Sequence, residues 1–254
     1  MVRIVVFDSG LGSLSIIKAI QKITKSEIIY FADQQNFPYG EKSQAQLSKI
    51  IQNSIKLLEE KFSPDVIVVA SNTPSLMLDV TTKKILDVKP PLKDAKKQSK
   101  TKQIGILATK GAINSTGLTK HIKKNNFSKS FKIFKINASD LVEIVESGKF
   151  ISNKKYSQKI IKNTLDEILY QNNIDTITLS STHLLFLKPL LKKQYPKINF
   201  IDPANIVAEK VFLRIKNKQS EKNSLKIFVT GNTRTFQIKL NKIGIKNKVN
   251  LLSF

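Results

Sequence analysis

The chain has 254 residues, 41% hydrophobic and 24% charged, enough for a substantial buried core in one large or two moderate domains and unlike a disordered chain. It contains no cysteine, which excludes disulfides, thiolate metal sites and thiol nucleophiles. The net charge of +24 comes almost wholly from lysine scattered along the chain, with arginine only at Arg3, Arg214 and Arg234, so specific nucleic-acid recognition, which leans on arginine's planar fork, is not expected.

The apolar run at residues 2–7 is broken by Asp8, too soon for a signal peptide, and no apolar run approaches the ~18 residues that a membrane span needs. A cytoplasmic protein without membrane attachment is therefore expected. Short β-rich runs then alternate with longer amphipathic segments. Strands are predicted at 4–7, 28–31, 66–70, 103–107, 131–136, 176–179, 198–201 and 225–229. Between them, Leu47, Ile50, Ile51, Ser54, Leu57 and Leu58 follow helical spacing, as do Ile160, Ile161, Thr164, Leu165 and Ile168. The alternation is that of βα units around a mainly parallel sheet. Residues 89–102, rich in Pro and Lys and poor in large apolar side chains, mark a domain junction, after which a fresh strand–helix pattern begins.

An internal comparison adds more. The strand ending near residue 70 runs into Ser71-Asn72-Thr73, and the strand ending near 180 runs into Ser181-Thr182-His183. Either triplet alone is what a helix cap or a strand-end turn uses. Their repetition suggests two related half-sites, one per domain, at the carboxyl ends of strands, where ligands of open α/β sheets bind and where a carboxylate finds backbone N–H groups. His183 is open between a hydrogen-bonded turn residue and a functional group, whereas His121, in a lysine-rich helical stretch, reads as surface.

These and other segments resemble the glutamate racemases of the aspartate/glutamate racemase family. Phe7-Asp8-Ser9-Gly10-Leu11-Gly12 is similar to the family's Asp-Ser-Gly-x-Gly turn, and Ala32-Asp33 with Phe37-Pro38-Tyr39-Gly40 to its Gly-Asp…Pro-Tyr-Gly loop. Ala70-Ser71-Asn72-Thr73 stands for Ala-Cys-Asn-Thr, and Ser181-Thr182-His183 for Cys-Thr-His. Weaker echoes are residues 109–115, Leu141-Val142-Glu143, and Thr230-Gly231-Asn232 before Phe236. The motifs occur in family order over nearly the whole chain.

The resemblance implies an α/β fold of two pseudo-symmetric domains with mainly parallel sheets flanked by helices and a ligand cleft between them. The first domain would comprise 1–97 plus 204–254 and the second 98–203. It implies a small acidic amino acid as ligand, no cofactor and no metal; a homodimer is compatible with the sequence, which marks no dimer face. By the same resemblance Ser71 and Ser181 occupy the two acid/base positions, with Asp8, Glu143 and His183 assisting, and Ser9, Tyr39, Gly40, Asn72, Thr73, Thr109 and Thr182 contact the ligand.

Racemisation removes an α-proton on one face and returns one on the other, so each face needs an acid/base group. Cysteine, with a pKa near 8.5, is tunable to that task, and a serine hydroxyl acts as a base only beside a strong partner. The sequence departs from the family pattern elsewhere too, at Pro74, Ala108 and Leu184-Leu185. Racemisation by the two-thiol route is thus replaced by three expectations: an acidic-amino-acid site with racemase-like chemistry, a non-catalytic binding descendant, or a one-base enzyme of altered chemistry.

Overall fold

In the computed structural model the described residues are 2–215, 218 and 220–253. The chain begins with β1 (Arg3–Asp8), α1 (Leu14–Ile23), β2 (Glu27–Ala32), α2 (Gln44–Phe62), β3 (Val66–Val69), α3 (Asn72–Met77), β4 (Ile85–Asp87) and α4 (Leu92–Gln98). It continues through β5 (Gln103–Ala108), α5 (Lys110–Ile113), α6 (Thr116–Lys124), β6 (Lys132–Asn137), α7 (Ser139–Glu146), α8 (Lys149–Ser152), α9 (Lys154–Gln171), β7 (Thr176–Leu179), α10 (Leu184–Gln194) and β8 (Asn199–Ile201). Last come α11 (Ala204–Ile215), β9 (Ser224–Val229), α12 (Thr233–Lys242) and β10 (Val249–Leu251).

These strands form two parallel sheets, one in the order β10-β9-β2-β1-β3-β4 and the other in the order β6-β5-β7-β8. Each sheet and its helices form one lobe. All eight predicted strands are present. β4 and β10, three residues each, are additions that such short segments do not announce, and the junction at 89–102 holds the helix α4 rather than an open linker.

Both faces of each sheet are covered, which is why the strands read as continuous Val/Ile runs. Along β1, Ile4 and Val6 join the core beneath α1 and α11, while Val5 and Phe7 join the opposite core beneath α2. In the second sheet Leu107, Ile177 and Leu179 pack under α7, α9 and α10, and Ile106 packs with Leu118 of α6 on the other side. The helical stripes predicted on α2 and α9 supply Leu47, Ile51, Leu58, Ile161 and Leu165 to these cores. The helix α2 starts at a capping box between Ser43 and Gln46, which satisfies two of its orphan N–H groups. Among the described residues no helix is long and apolar enough to cross a membrane.

The first four strands of each lobe share one order, β2-β1-β3-β4 against β6-β5-β7-β8, and the loops that leave them bond alike. Ala70 N–H donates to Phe7 O as Ser180 N–H does to Leu107 O, and Asp33 N–H to Asp8 O as Ala138 N–H does to Ala108 O. Ser71 is thereby equivalent to Ser181, Thr73 to His183, and the carboxylates Asp8 and Asp33 to Ala108 and Ala138.

Candidate active site

The carboxyl ends of β1 and β3 face those of β5 and β7 across the lobe boundary, and glycines let them approach. A Cβ on Gly10 would overlap Glu146, and one on Gly12 would overlap Thr182 and His183. From the other side, a Cβ on Gly111 would overlap Gly40 O, and one on Gly117 would overlap Leu76 O. Thr73 and Thr109 join hydroxyls across the boundary at 3.0 Å.

Beneath these contacts lies a buried polar cluster. Asp8 accepts from Ser9 N–H at 2.7 Å and from the Thr182 hydroxyl of the opposite lobe at 3.2 Å. Burial, the largest influence, pushes the Asp8 carboxyl above its usual range against the lowering effect of His183, Ser9 N–H and Ser71. Ser71 is 9% exposed and Ser181 6%. The alternative reading of the triplets as caps does not hold: Ser71 stands at the N-cap of α3 and His183 at that of α10, and neither makes a side-chain cap bond, unlike Ser43, Thr109, Ser115, Asn153 and Asn232.

His183 is buried, with Nε2 2.8 Å from Glu146 Oε1. Burial pulls the imidazole pKa down, but the hydrogen bond and charge of Glu146, with Asp8 adding, outweigh it and leave the pKa above the ordinary 6.5. For Glu146, burial raises the pKa, and His183, Lys239 and Leu11 N–H more than reverse that, so it lies below the ordinary 4.5.

Glu146, a residue the sequence reading did not single out, is the glutamate of α7 that bonds to His183. Glu143 is exposed, on the face of α7 opposite the buried stripe of Leu141, Ile144 and Val145, and its carboxylate is not among the groups bonded to His183. The helical pattern carried the signal: with Leu141 and Val145 facing the core, position 143 points away, and Glu146 flanks the stripe. The Tyr39 ring lies in the first-lobe core and its hydroxyl donates to Asp33 at 3.0 Å. Asp33 is further held by Asn36 and by the Thr230 hydroxyl at 3.1 Å, and burial raises its pKa despite these donors.

The other expected residues fall into two groups. Ser9, Asn72, Thr73 and Thr182 are buried in the cluster. Asn72 donates to Val88 O at 3.0 Å, and its Oδ1 has no hydrogen-bond partner among the described residues. Gly40, Thr109 and Glu143 instead line a cavity of about 550 Å³ at the lobe boundary, with Phe37 and Glu41 from the first lobe and Lys110, Asn137 and Asp140 from the second. Three carboxylates, Glu41, Asp140 and Glu143, stand against one ammonium, Lys110, on that wall. Among the described residues no group of three or more His, Asp or Glu side chains is placed to hold a metal ion.

Glutamate racemase of Glaesserella parasuis serovar 5 (strain SH0165) is 30% identical over 266 residues, spanning 99% of this chain and 97% of that protein. The chain belongs to the glutamate racemase family. No protein-family model matches it. Among solved structures, the glutamate racemase isoform RacE1 of Bacillus anthracis superposes with a TM-score of 0.85 at 23% identity, covering 100% of this chain and 98% of that one. The glutamate racemase of Francisella tularensis subsp. tularensis SCHU S4, solved in complex with D-glutamate, gives 0.81 at 23% identity over 99% and 97% of the two chains. These likenesses show the α/β fold of the glutamate racemases, with parallel sheets flanked by helices.

Proposed function

We propose that this protein binds glutamate or a closely similar acidic amino acid between its lobes, without a cofactor and in the cytoplasm, and that proton transfer there does not use two thiols. The observation that carries this reading is the equivalence of Ser71 and Ser181 at the ends of β3 and β7, buried on either side of one lobe boundary. Family membership and the D-glutamate bound by the Francisella tularensis protein support the ligand class. The division of strands between two sheets supports domains of 1–97 plus 204–254 and 98–203.

In this reading Ser9, Asn72, Thr73, Thr109 and Thr182, with the backbone at Tyr39 and Gly40, receive the ligand. The unpartnered Asn72 Oδ1 suits an ammonium or amide donor. Ser71 and Ser181 hold the acid/base positions with hydroxyls whose pKa is far from neutrality. Asp8 assists at the first, and His183 with Glu146 at the second, Glu146 taking the role first expected of Glu143.

A one-base enzyme is the second reading, favoured by the unequal charges of the half-sites. A buried carboxylate with a raised pKa, Asp8, is a better base than an ordinary one, and a histidine with a raised pKa favours its protonated, donating form. The deciding experiment is loss of the α-proton NMR signal of L- and D-glutamate in D2O. Washout from both enantiomers establishes thiol-free racemase chemistry, and washout from one establishes the one-base enzyme. Binding without washout leaves a receptor-like descendant, and absence of any thermal stabilisation by acidic amino acids refutes the site.

A further inference from the structure

Glu146 is more than a partner for His183. It is the last residue of α7 in the second lobe, 3% exposed, and its two carboxylate oxygens are used differently. Oε1 takes His183 Nε2 at 2.8 Å and Leu11 N–H, while Oε2 takes the ammonium of Lys239 at 3.1 Å. Leu11 and Lys239 both belong to the first lobe: Leu11 to the glycine-rich turn after β1, and Lys239 to α12, a helix anchored on the first sheet by Phe236 and Leu240. One carboxylate thus ties three segments together across the lobe boundary.

We propose that Lys239 is a positioning residue of the candidate site: by fixing Glu146 Oε2 from the first lobe it keeps Oε1 turned toward His183, so that the His183–Glu146 pair is held together only while the lobes are in contact. The proposal rests on the reading of His183 and Glu146 as part of the amino-acid site. A carboxylate that lost one of its two anchoring sides would be free to rotate about its terminal torsion, which is a broad and shallow one. The geometry is favourable for the lysine itself. It meets a formal negative charge at the carboxyl end of a helix, where the helix dipole also attracts a cation, and its side chain is only 27% exposed. A neighbouring lysine, Lys242, lies near the same end of the second lobe, 3.9 Å from where a Cβ on Gly148 would stand.

The charged groups that act on His183 are Glu146 from α7, Asp8 from the end of β1 and Lys239 from α12. Two roles for Lys239 therefore predict opposite signs. As a distant positive charge alone it disfavours the imidazolium, so removing it raises the His183 pKa. As the group that orients Glu146 it supports the imidazolium, so removing it lowers that pKa.

The chain has two histidines, so 15N-labelled imidazole NMR resolves His183 once His121→Gln has assigned the other signal. Lys239→Met and Lys239→Ala are titrated beside the native protein, so that a folding failure of one leaves the other. The expected result is a fall of the His183 midpoint on the order of half a pH unit or more, with recovery in Lys239→Arg. A rise, or an unchanged midpoint, overturns the proposal. Thermal stabilisation by glutamate is measured on the native protein in parallel. Its absence refutes the amino-acid reading of the site without touching the His183 titration, so the two failures are distinguishable.

Discussion

The two half-sites share a skeleton and differ in charge. In the first lobe the strand ends supply carboxylates, Asp8 after β1 and Asp33 after β2, whereas the equivalent places in the second lobe hold Ala108 and Ala138. The second lobe obtains its ionisable groups from elsewhere: His183 where the first lobe has Thr73, and Glu146 from the end of α7. A duplicated frame has fixed where two hydroxyls stand, while side chains outside the repeat decide what each hydroxyl can do. Asp8 links the two by accepting from the Thr182 hydroxyl of the opposite lobe.

The sharpest way to break the comparison is to make both half-sites thiols. Ser71→Cys with Ser181→Cys is expected to create interconversion of D- and L-glutamate, with roughly 10²–10⁴-fold gained for each restored acid/base group. Circular dichroism of the amino acid follows it directly. An inert double variant that still binds glutamate would show that the half-sites no longer face one substrate. Each single variant is expected to exchange the α-proton of only one enantiomer.

Next in size is the contrast between the two glutamates of α7. Glu146→Gln leaves His183 and Lys239 without their shared carboxylate, and breaking such a buried pair costs about 3–5 kcal/mol. Glu143→Gln, on the exposed face, is expected to stay within about 0.5 kcal/mol of the native protein. Urea melts of the two variants give the comparison, and equal effects would undo the assignment to Glu146.

A purely steric test is smaller. Gly117→Ala drives a methyl group into Leu76 O across the lobe boundary, an overpacking that costs about 1–3 kcal/mol, or roughly 2–4 °C in Tm per kcal/mol. Gly244→Ala has open space around it but a φ of +81°, so its loss is expected to come from backbone strain and to leave glutamate binding intact. Calorimetry with and without ligand separates the two.

The smallest effect is a pH dependence. His183 has a folded pKa above 6.5, so its contribution to stability is full below that value and fades as pH rises through the folded pKa. Glu146, with a folded pKa below 4.5, contributes fully above 4.5 and fades as pH falls through its folded value. The Tm difference between native protein and His183→Gln should therefore be widest between pH 4.5 and 6.5 and narrow on the alkaline side. A gap that grows with rising pH would mean that His183 is held neutral.

Much of the frame was legible because parallel strands buried on both faces leave unmistakable Val/Ile runs, as in β1 and β3, and because Ser71 and Ser181 recur in like surroundings. β4 and β10 escaped notice because three residues carry no periodicity, and each is an edge strand paired to the strand that precedes it in the chain. The choice between Glu143 and Glu146 depended on which face of α7 meets the core. Lys239 was invisible among so many lysines, since only the path of α12 brings it, 93 positions away, to Glu146. The Tyr39 ring was not legible as core, although a buried phenol must find an acceptor, which Asp33 provides.

The late return of the chain to its first sheet has a consequence for how the molecule is made. β9 pairs with β2 and carries β10 beyond it, and both lie after every strand of the second sheet. On the ribosome the second lobe has its whole sheet before the first has its own, and β2 waits with an open edge of unpaired N–H and C=O groups until the last stretch emerges. Truncation before β9 therefore exposes a sticky strand in the half of the protein that was synthesised first.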